Sequence, residues 1–537
     1  MGGEIQMEQN KVKQIILEAF EKTPEFSISQ LVLNTSIAKR TAQRYVDELL
    51  QENRLIALGQ GRSRYYQRVY LNEEALTRLA VLKNGSHIGT LIFGNGRYDF
   101  VYEKGYEDLL FGISATNNTS SELYAIFENL IPEHDRREKL TKGFKDLGSV
   151  LVDLDNAHGD FKFIPLGELF KYKSPLEKRP SWLENKHKIL GINEYPNIIQ
   201  AKILIDEDVL NDISSTEHSN LSGYQHKIDV DFEDNEIKES THKAHYLLKP
   251  LNRTLTNYFE RDETNRTNYY PFLALNEHLF MSFAKNEMSL DVPMSGIIPA
   301  SNGDFHYIVK RYDRFNDYAY SQYDMAQLLD LKSDKKYRPT TQEMLSLFES
   351  KVFNQEAKMA MLSFQIYSML IKHSDFHAKN MGILEIGKNK FIGTPLYDVI
   401  SVGVYNGTAD DLGLPLSKEQ RKRKKYTFED MLFIANTLNV PTIKSKEIIK
   451  RTIEVFLDRF PAYIEKTKAL ESSYALEMQS TRIGKKRFSE RLQSLYDNKL
   501  IELKKLGVLQ ALGIVEKYGG LLHREQKSRF QKNNVTT

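Results

Sequence analysis

Residues 371–385, IKHSDFHAKNMGILE, place two histidines, an aspartate, a lysine and an asparagine between apolar segments. Two chemistries use such residue types. His373, Asp375 and His377 alternate, so on a strand they would share one face and could ligate a metal. A zinc site wants a further ligand or a bound water and an ordered outer shell, and beyond the H-S-D-F-H of this run no further histidine lies nearby. The other chemistry is phosphoryl transfer. There a carboxylate takes the proton of an attacking hydroxyl, and oxygen ligands hold a magnesium ion.

The spacing favours phosphoryl transfer. Asp375 and Asn380 stand five residues apart, the separation of D-x-x-x-x-N in protein-kinase catalytic loops. In that arrangement Asp375 is the base, Asn380 a Mg²⁺ ligand and Lys379 a positive charge beside the transferring group. Asp398, in TPLYDVISV at the end of an expected strand, adds a second oxygen ligand. A lysine that grips phosphates is needed upstream on a strand. HYLLKP (245–250) offers Lys249, followed by a proline that ends pairing. NLSGYQHK (220–227) provides a small-residue turn to fold over phosphates, with one glycine where such loops often carry three. YIVKRYDRF (307–315) runs from an apolar strand into charge, as a hinge between lobes would. The order of glycine turn, lysine, hinge, Asp–Asn loop and aspartate is the order a kinase requires.

Positioning these groups needs more than one domain, and 537 residues make two to four the expectation. Hydrophobic residues at 41% and aromatics at 11% suffice for packed cores and argue against disorder. The net charge of +2 excludes a whole-chain basic field, so any nucleic-acid contact must be a local patch. The absence of cysteine excludes disulfides, thiolate catalysis and Cys-based zinc or iron–sulfur sites, and fits a reducing cytosol. MGGEIQMEQN has no apolar core of a secretory signal, and Gln6 stands where a myristoylation signal wants Ser or Thr. No run approaches the roughly 18–20 apolar residues of a membrane span. A soluble, cytoplasmic protein with no membrane partner is expected.

Residues 11–70 read as a small independent unit. Val12, Ile15, Ile16 and Ala19 recur at helical spacing, and a second helix starts behind Ser27 as N-cap. A third begins near Ser36, with Ile37, Ala42, Tyr45, Val46 and Leu49 available to face inward. Two strand-like runs then flank Gly59-Gln60-Gly61, a hairpin signal. Three helices and a hairpin describe a winged helix-turn-helix. Between Ser36 and Arg68 stand seven Lys/Arg against three Asp/Glu. Lys39, Arg40 and Arg44 at the third helix, with Arg62, Arg64 and Arg68 in the wing, lie where DNA phosphates would be. The alternative is a protein-contact or dimerisation module with a solvated basic face. Further on, residues 78–172 read as α/β with hairpins at Asn84-Gly85 and Gly94-Asn95-Gly96. Residues 172–220 turn polar and irregular, and the chain past Thr340 is mostly helical. SKEQRKRKKY carries six Lys/Arg from Lys418 to Lys425, read as a solvated loop or a nucleic-acid contact.

Taken together, SGYQHK, YLLKP, VKRYDR, SDFHAKN and PLYDV resemble the motifs of the HipA-type serine/threonine protein kinases, toxins of bacterial toxin–antitoxin systems. FENLIPEHDRREKL (127–140) and HGDFKFIP (158–165) resemble that family's N-terminal subdomain, so the likeness runs collinearly over roughly residues 80–465. The resemblance implies an α+β, bilobal protein-kinase-like fold with a mostly helical C-lobe, beside the N-terminal winged helix-turn-helix. The layout is then a winged helix at 1–72, an N-terminal subdomain at 78–172 and a polar insertion or loop at 173–219. A kinase N-lobe at 220–330, a helical C-lobe at 331–467 and a helical basic extension at 468–537 follow. Asp375 and Lys379 are the implied catalytic residues, Asn380 and Asp398 the Mg²⁺ ligands, and Lys249 the phosphate anchor. The backbone of Lys310 and Tyr312 would meet adenine, and Asp313 would lie near the ribose. Ser222, Gly223, Gln225, Lys227 and His377 complete the implied ATP site, with His377 equally readable as a structural brace.

The implied cofactors are ATP and Mg²⁺. The implied substrate is a protein of translation, commonly an aminoacyl-tRNA synthetase, and growth inhibition is the outcome. DNA, through the winged helix, an antitoxin and a second copy of the chain are the further candidate partners. Two departures stand out. Where some members carry an autophosphorylated serine, this chain has Asn220, leaving Ser222 as the candidate for self-modification and Ser219 behind it. Ser222 reads equally as a turn residue bonding its own backbone. The winged helix, carried in well-known systems by a separate antitoxin, is here on the same chain. The competing classes are a DNA-binding transcriptional regulator whose kinase-like domain is a nucleotide sensor or inactive scaffold, and a lipid or small-molecule kinase.

Overall fold

Apolar periodicity and capping set the elements that carry these residues. The computed structural model describes residues 12–20, 25–51, 54–58, 64–68, 76–115, 118–133, 137, 140–142, 146–154, 157–173, 179–206, 209–210, 227–240, 244–251, 272–300, 304–420, 425–474 and 487–518. The chain divides into two compact units. The first comprises Met1–Glu128, Arg137–Leu154 and Phe161–Pro175, and the second Asn129–Arg136, Asp155–Asp160 and Leu176–Thr537.

The first unit opens with helix α1 (residues 12–20), strand β1 (Glu25–Phe26), helices α2 (Ile28–Thr35) and α3 (Lys39–Gln51), and the hairpin β2 (Leu55–Leu58) and β3 (Tyr65–Arg68). Ser27 accepts from the Gln30 amide while the Gln30 side chain reaches back, a capping box that starts α2. Ser36 ends it in the left-handed region at φ 55°. Strand β3 lies between β1 and β2 and is antiparallel to both. Ile16, Leu17, Phe20, Phe26, Leu31, Tyr45, Val46, Leu49, Leu55 and Tyr66 form one buried cluster, so this segment has its own core. The order of three helices and a hairpin is the one read from the sequence, and β1 is an addition to it. The hairpin tip, with Arg62, lies outside the described residues.

A five-stranded antiparallel sheet follows, from β4 (Thr77–Lys83), β5 (Ser86–Gly94), β6 (Arg97–Tyr102), β7 (Thr119–Ser120) and β8 (Phe161–Pro165), in the order β7-β6-β5-β4-β8. Its tight turns are the two expected. Asn84 and Gly85, and Asn95 and Gly96, all have positive φ, which suits the right-handed twist of a hairpin. On α4 (Ala125–Glu128), the Phe127 ring packs against Phe100, Phe161 and Phe163 at 5.9, 5.7 and 5.3 Å.

In the second unit, α5 (Trp182–Leu190) precedes a six-stranded sheet of β9 (Lys202–Ile203), β10 (Ile228–Glu233), β11 (Glu236–Glu239), β12 (Tyr246–Lys249), β13 (Ser295–Pro299) and β14 (Phe305–Lys310). The strand order is β13-β14-β12-β10-β11-β9, and α6 (Leu273–Asn286) connects β12 to β13. A hairpin of β15 (Arg314–Phe315) and β16 (Tyr318–Ala319) leads to the three-stranded sheet of β17 (Gln322–Asp324), β18 (Gly382–Gly387) and β19 (Lys390–Gly393). The helices are α7 (Met325–Leu328), α8 (Thr341–Lys351), α9 (Gln355–Ile371), α10 (Phe428–Thr437), α11 (Thr442–Tyr474), α12 (Phe488–Lys505) and α13 (Val508–Ala511). No helix among the described residues is long and apolar enough to cross a membrane.

Three expectations are corrected. The segment 173–219 is not simply a polar loop: Ser181 caps α5, which buries Trp182, Ile189 and Leu190, and β9 joins the six-stranded sheet. Its polar composition hid a helix with one apolar face. The TPLYDVISV run forms no strand; the strand before Asp398 is β19, and the chain is irregular from Thr394 to Ser401. The boundary at 467 falls inside α11, and α12 buries Phe488, Leu492, Leu495 and Leu500, so the basic extension builds the helical body.

Phe283 of α6 sits at the centre of that body, with Tyr367, Phe456, Phe460 and Tyr463 at ring distances of 5.7, 6.2, 5.5 and 5.0 Å. Phe283→Ala leaves a cavity among rings that cannot collapse together, and a loss of about 3–5 kcal/mol is expected. Denaturant unfolding should show a lower midpoint at unchanged slope.

Candidate active site

Strand β12 ends at Lys249, whose cross-strand partner on β14 is Tyr307. The sheet delivers the side chain to a buried position, where Nζ donates to both Glu277 carboxylate oxygens at 2.8 Å and to Asp398 Oδ1. Lys227 Nζ stands 3.9 Å from the other Asp398 oxygen. Glu277 was not anticipated. It belongs to α6, LALNEHLFMSFAKN, where three consecutive polar residues are buried among mainly apolar ones. Each is tied to a different segment: Asn276 to the Ser401 backbone in both directions (3.0 and 2.9 Å), Glu277 to Lys249, and His278 to Ser295 Oγ at 2.9 Å. That run of three was the signal, because polar groups are buried only with partners.

Charges settle accordingly. Burial opposes the Lys249 ammonium, yet Asp398 and Glu277 together hold its pKa above the ordinary lysine value. Burial also opposes the Asp398 carboxylate, but Lys249 and Lys227 outweigh it and hold that group well below the usual carboxylate range. Glu277 is pushed upward by burial in spite of Lys249. Asp398 itself has φ 54°, a left-handed conformation that aspartate tolerates better than most residues.

The 371–385 stretch follows α9, which Lys372 ends at φ 54°. A turn closed by Phe376 N–H to His373 O and a 3₁₀ turn at Ala378–Asn380 lead into β18. Gly413 packs so closely on the Phe376 backbone that a Cβ there would overlap it. Asp375 Oδ1 accepts a 2.5 Å hydrogen bond from the Tyr337 hydroxyl. Burial raises the Asp375 pKa, the Tyr337 bond lowers it, and the Asp398 charge raises it again. His373 is fully buried against Phe364 and Phe376, whereas His377 packs edge-on to Tyr337. The two histidines therefore present no common face, and no group of three or more His, Asp or Glu among the described residues is placed to hold a metal. Asn380 is bonded through its side chain to no described residue, and Asp398 is one-third exposed. An amide oxygen and a carboxylate are hard donors of the kind Mg²⁺ takes alongside phosphate and water.

Other expected site residues are placed differently from the sequence reading. Lys379 turns inward, donating to Asn129 O and Oδ1 at 3.1 and 3.2 Å and pairing with Glu133 at 3.4 Å, so its charge is spent within the protein. The hinge groups are engaged as well. Lys310 N–H donates to Met294 O, and Tyr312 O accepts the Trp182 indole at 2.9 Å. Asp313 accepts from Arg311, Arg314 and the Gly159 amide, while Arg311 also reaches Asp229. Both arginines donate in addition to Ala157 O, fixing residues 157–160. The ribose role expected for Asp313 thus competes with a saturated cluster. Ser222, Gly223 and Gln225 lie outside the described residues, as do Ser219 and Asn220.

In the first unit, Lys39, Arg40 and Arg44 are exposed on α3 and line a shallow groove with Gln43, Asp47 and Glu48. The Arg44 guanidinium lies 4.4 Å from the Tyr45 ring centroid and 3.8 Å from Glu48. Arg64, at the start of the hairpin's second strand, is exposed beside Tyr66.

With this geometry in hand, comparison with known proteins gives the fold. A solved chain of the Shewanella oneidensis MR-1 toxin–antitoxin system, in a complex of HipA, HipB and operator DNA, superposes with a TM-score of 0.53. It covers 81% of this chain and 99% of its own length at 17% identity. The fold is HipA-like and α+β. Residues 219–460 match the HipA-like C-terminal domain. The serine/threonine-protein kinase toxin HipA of Shewanella oneidensis is 23% identical over 393 residues, 65% of this chain and 82% of that protein. A Haemophilus influenzae protein provisionally named a kinase is 25% identical over 216 residues, and the match spans 57% of that relative's length.

The Arg311–Asp313–Arg314 cluster makes a measurable statement about pH. Burial would raise the Asp313 pKa, but the two arginines hold it well below the ordinary value, so its folded pKa lies below its unfolded one of about 3.9. Its contribution is therefore complete above about pH 4 and is lost as pH falls further. Asp313→Asn should cost about 3–5 kcal/mol at pH 7, because it leaves two buried guanidinium groups short of an anion. Melting temperature against pH should also flatten below about pH 4 relative to the wild type.

Proposed function

We propose that the chain is an ATP- and Mg²⁺-dependent serine/threonine protein kinase of the HipA type. The observation that carries this reading is the bidentate Lys249–Glu277 pair on a strand and helix, joined to Asp398 from the opposite side of the site. A lysine held by a helix carboxylate beside a metal-ligand aspartate is the phosphate-gripping arrangement of protein kinases. Lys249 would grip the nucleotide's phosphates, with Lys227 adding a second cation on the same side. Asp375 would accept the proton of a serine or threonine hydroxyl as its oxygen attacks the γ-phosphorus and ADP leaves. Burial raises its pKa, which suits a base that must accept the proton. Asn380 and Asp398 would hold Mg²⁺, which when bound neutralises charge on the phosphates.

On the same reading the N-terminal module is a winged helix-turn-helix that places α3 on DNA through Lys39, Arg40, Arg44 and Arg64. This would let one polypeptide act on its own operon. The family resemblance supports a substrate in translation, such as an aminoacyl-tRNA synthetase, with growth inhibition as the result. The solved HipA relative, assembled with HipB and operator DNA, supports an antitoxin and DNA as partners.

Incubation with labelled ATP and Mg²⁺ tests the core of the proposal. Asp375→Asn should lower phosphate transfer to self or to lysate proteins by about 10²–10⁴-fold. ATP binding, read as thermal stabilisation, should persist. Transfer that survives the substitution would remove Asp375 from the base role. For the DNA half, Arg40→Ala and Arg44→Ala should each weaken binding across sequences and reduce the slope of log affinity against log salt by about 1. An unchanged slope would make the module a protein-contact domain.

A further inference from the structure

One residue that the proposed mechanism leaves without a role touches the base directly. Tyr337 lies between a 3₁₀ turn at Ser333–Lys335 and helix α8, in a segment stitched to the catalytic loop. Lys336 O accepts the Ala378 amide at 3.1 Å, and Lys336 Nζ pairs with Glu133 at 2.6 Å. The Tyr337 ring meets His377 edge-on at 4.9 Å, and its hydroxyl donates to Asp375 Oδ1 at 2.5 Å. Tyr337 is 47% exposed, so the ring is no core residue whose hydroxyl happens to need a partner.

The direction of that hydrogen bond carries the argument. A kinase base works by accepting a hydrogen bond, and then the proton, from the hydroxyl that attacks phosphorus. Tyr337 offers Asp375 the same kind of donor from within the chain. Lys336 anchors the segment on both sides, through its carbonyl and its ammonium, so the phenol is held there by more than its own bond. Resting on the kinase reading of the site, we propose that Tyr337 occupies the acceptor-hydroxyl position at Asp375, so that a substrate hydroxyl reaches the base only by displacing it. Tyr337 then decides which acceptors compete. A hydroxyl delivered on a docked protein displaces the phenol, whereas water, which brings no docking energy, is kept out.

Water is therefore the acceptor that exposes the effect, and ATP hydrolysis is the measurement. In that step a water oxygen bonds to the γ-phosphorus, its proton passes to Asp375, the bond to the β-phosphate breaks and ADP leaves. Tyr337→Phe keeps the ring against His377 and removes only the hydroxyl. The full chain carrying it should hydrolyse ATP with kcat raised about tenfold, equivalent to about 1.4 kcal/mol. KM for ATP should stay unchanged, because the phenol lies on the acceptor side. Phosphate found on Tyr337 of the wild type would support the same assignment. Hydrolysis that depends on Asp375 but is equal or slower in Tyr337→Phe would overturn it, leaving Tyr337 a brace for the loop and the kinase reading intact. If no variant, wild type included, hydrolyses ATP or transfers phosphate above the Asp375→Asn background, the kinase reading itself fails.

Discussion

One buried ammonium organises the second unit. Lys249 is bonded at once to Glu277, from the helix after its own strand, and to Asp398, from a turn nearly 150 residues later. Taking three charged groups out of water costs several kcal/mol for each ion, and their attraction offsets this only where geometry is good and the hydrogen bonds are complete. The arrangement therefore works as a constraint more than as a source of stability. Strand β12 must keep its register on β14, α6 must present Glu277 inward, and the turn after β19 must hold Asp398 at a left-handed backbone angle. A slip in any one would leave a buried charge without its partner, which is far costlier than never having buried it.

The same helix closes the circuit from its other side. Asn276, next to Glu277, exchanges two hydrogen bonds with the backbone of Ser401, three residues after Asp398, while the Ser401 hydroxyl donates to Ile371 O at the end of α9. Helix α6 thus fixes Lys249, the Asp398 turn and the approach to the 371–385 stretch with consecutive residues. A second cluster does equivalent work around residues 311–314. There Asp313 is saturated by Arg311 and Arg314, and both arginines clamp the carbonyl of Ala157. Each cluster ties together residues far apart in sequence, so the fold is specified by a few polar knots set in apolar helices and sheets.

This explains what the sequence made legible. Local signals read well: the Ser27 cap, the Asn84-Gly85 and Asn95-Gly96 turns and the strand ending at Lys249 all depend on neighbours within a few residues. Asp398 was singled out by residue type and order, and the structure brings it to Lys249, although the run around it is not a strand. Glu277 and Tyr337 were missed because their contacts are made with partners 28 and 38 residues away. Lys379 and Asp313 were assigned outward-facing roles, since a charge beside a catalytic motif reads as available until its partners are known. Asn129 and Glu133, which hold Lys379, sit some 250 residues upstream. The segment 173–219 misled for a compositional reason: a helix of nine residues with three buried positions leaves most of its letters polar.

The inward turn of Lys379 bears on how charge is divided across the site. With that ammonium spent on Asn129 and Glu133, the 371–385 stretch brings a carboxylate at Asp375 and an amide at Asn380, and Asp398 adds a second carboxylate. The cations come from the other side: Lys249 at the end of β12 and Lys227 just before β10. In the structure these opposite charges are satisfied by each other, through Lys249 and Lys227 on Asp398. On the kinase reading a nucleotide phosphate can replace Asp398 as the partner of those lysines, which frees the aspartate for the metal that travels with the phosphate. The exchange conserves charge pairing at every stage, so the low-dielectric site need never hold an unmatched ion. Glu277 is what makes it work, because it keeps Lys249 in place while the lysine's other partner changes.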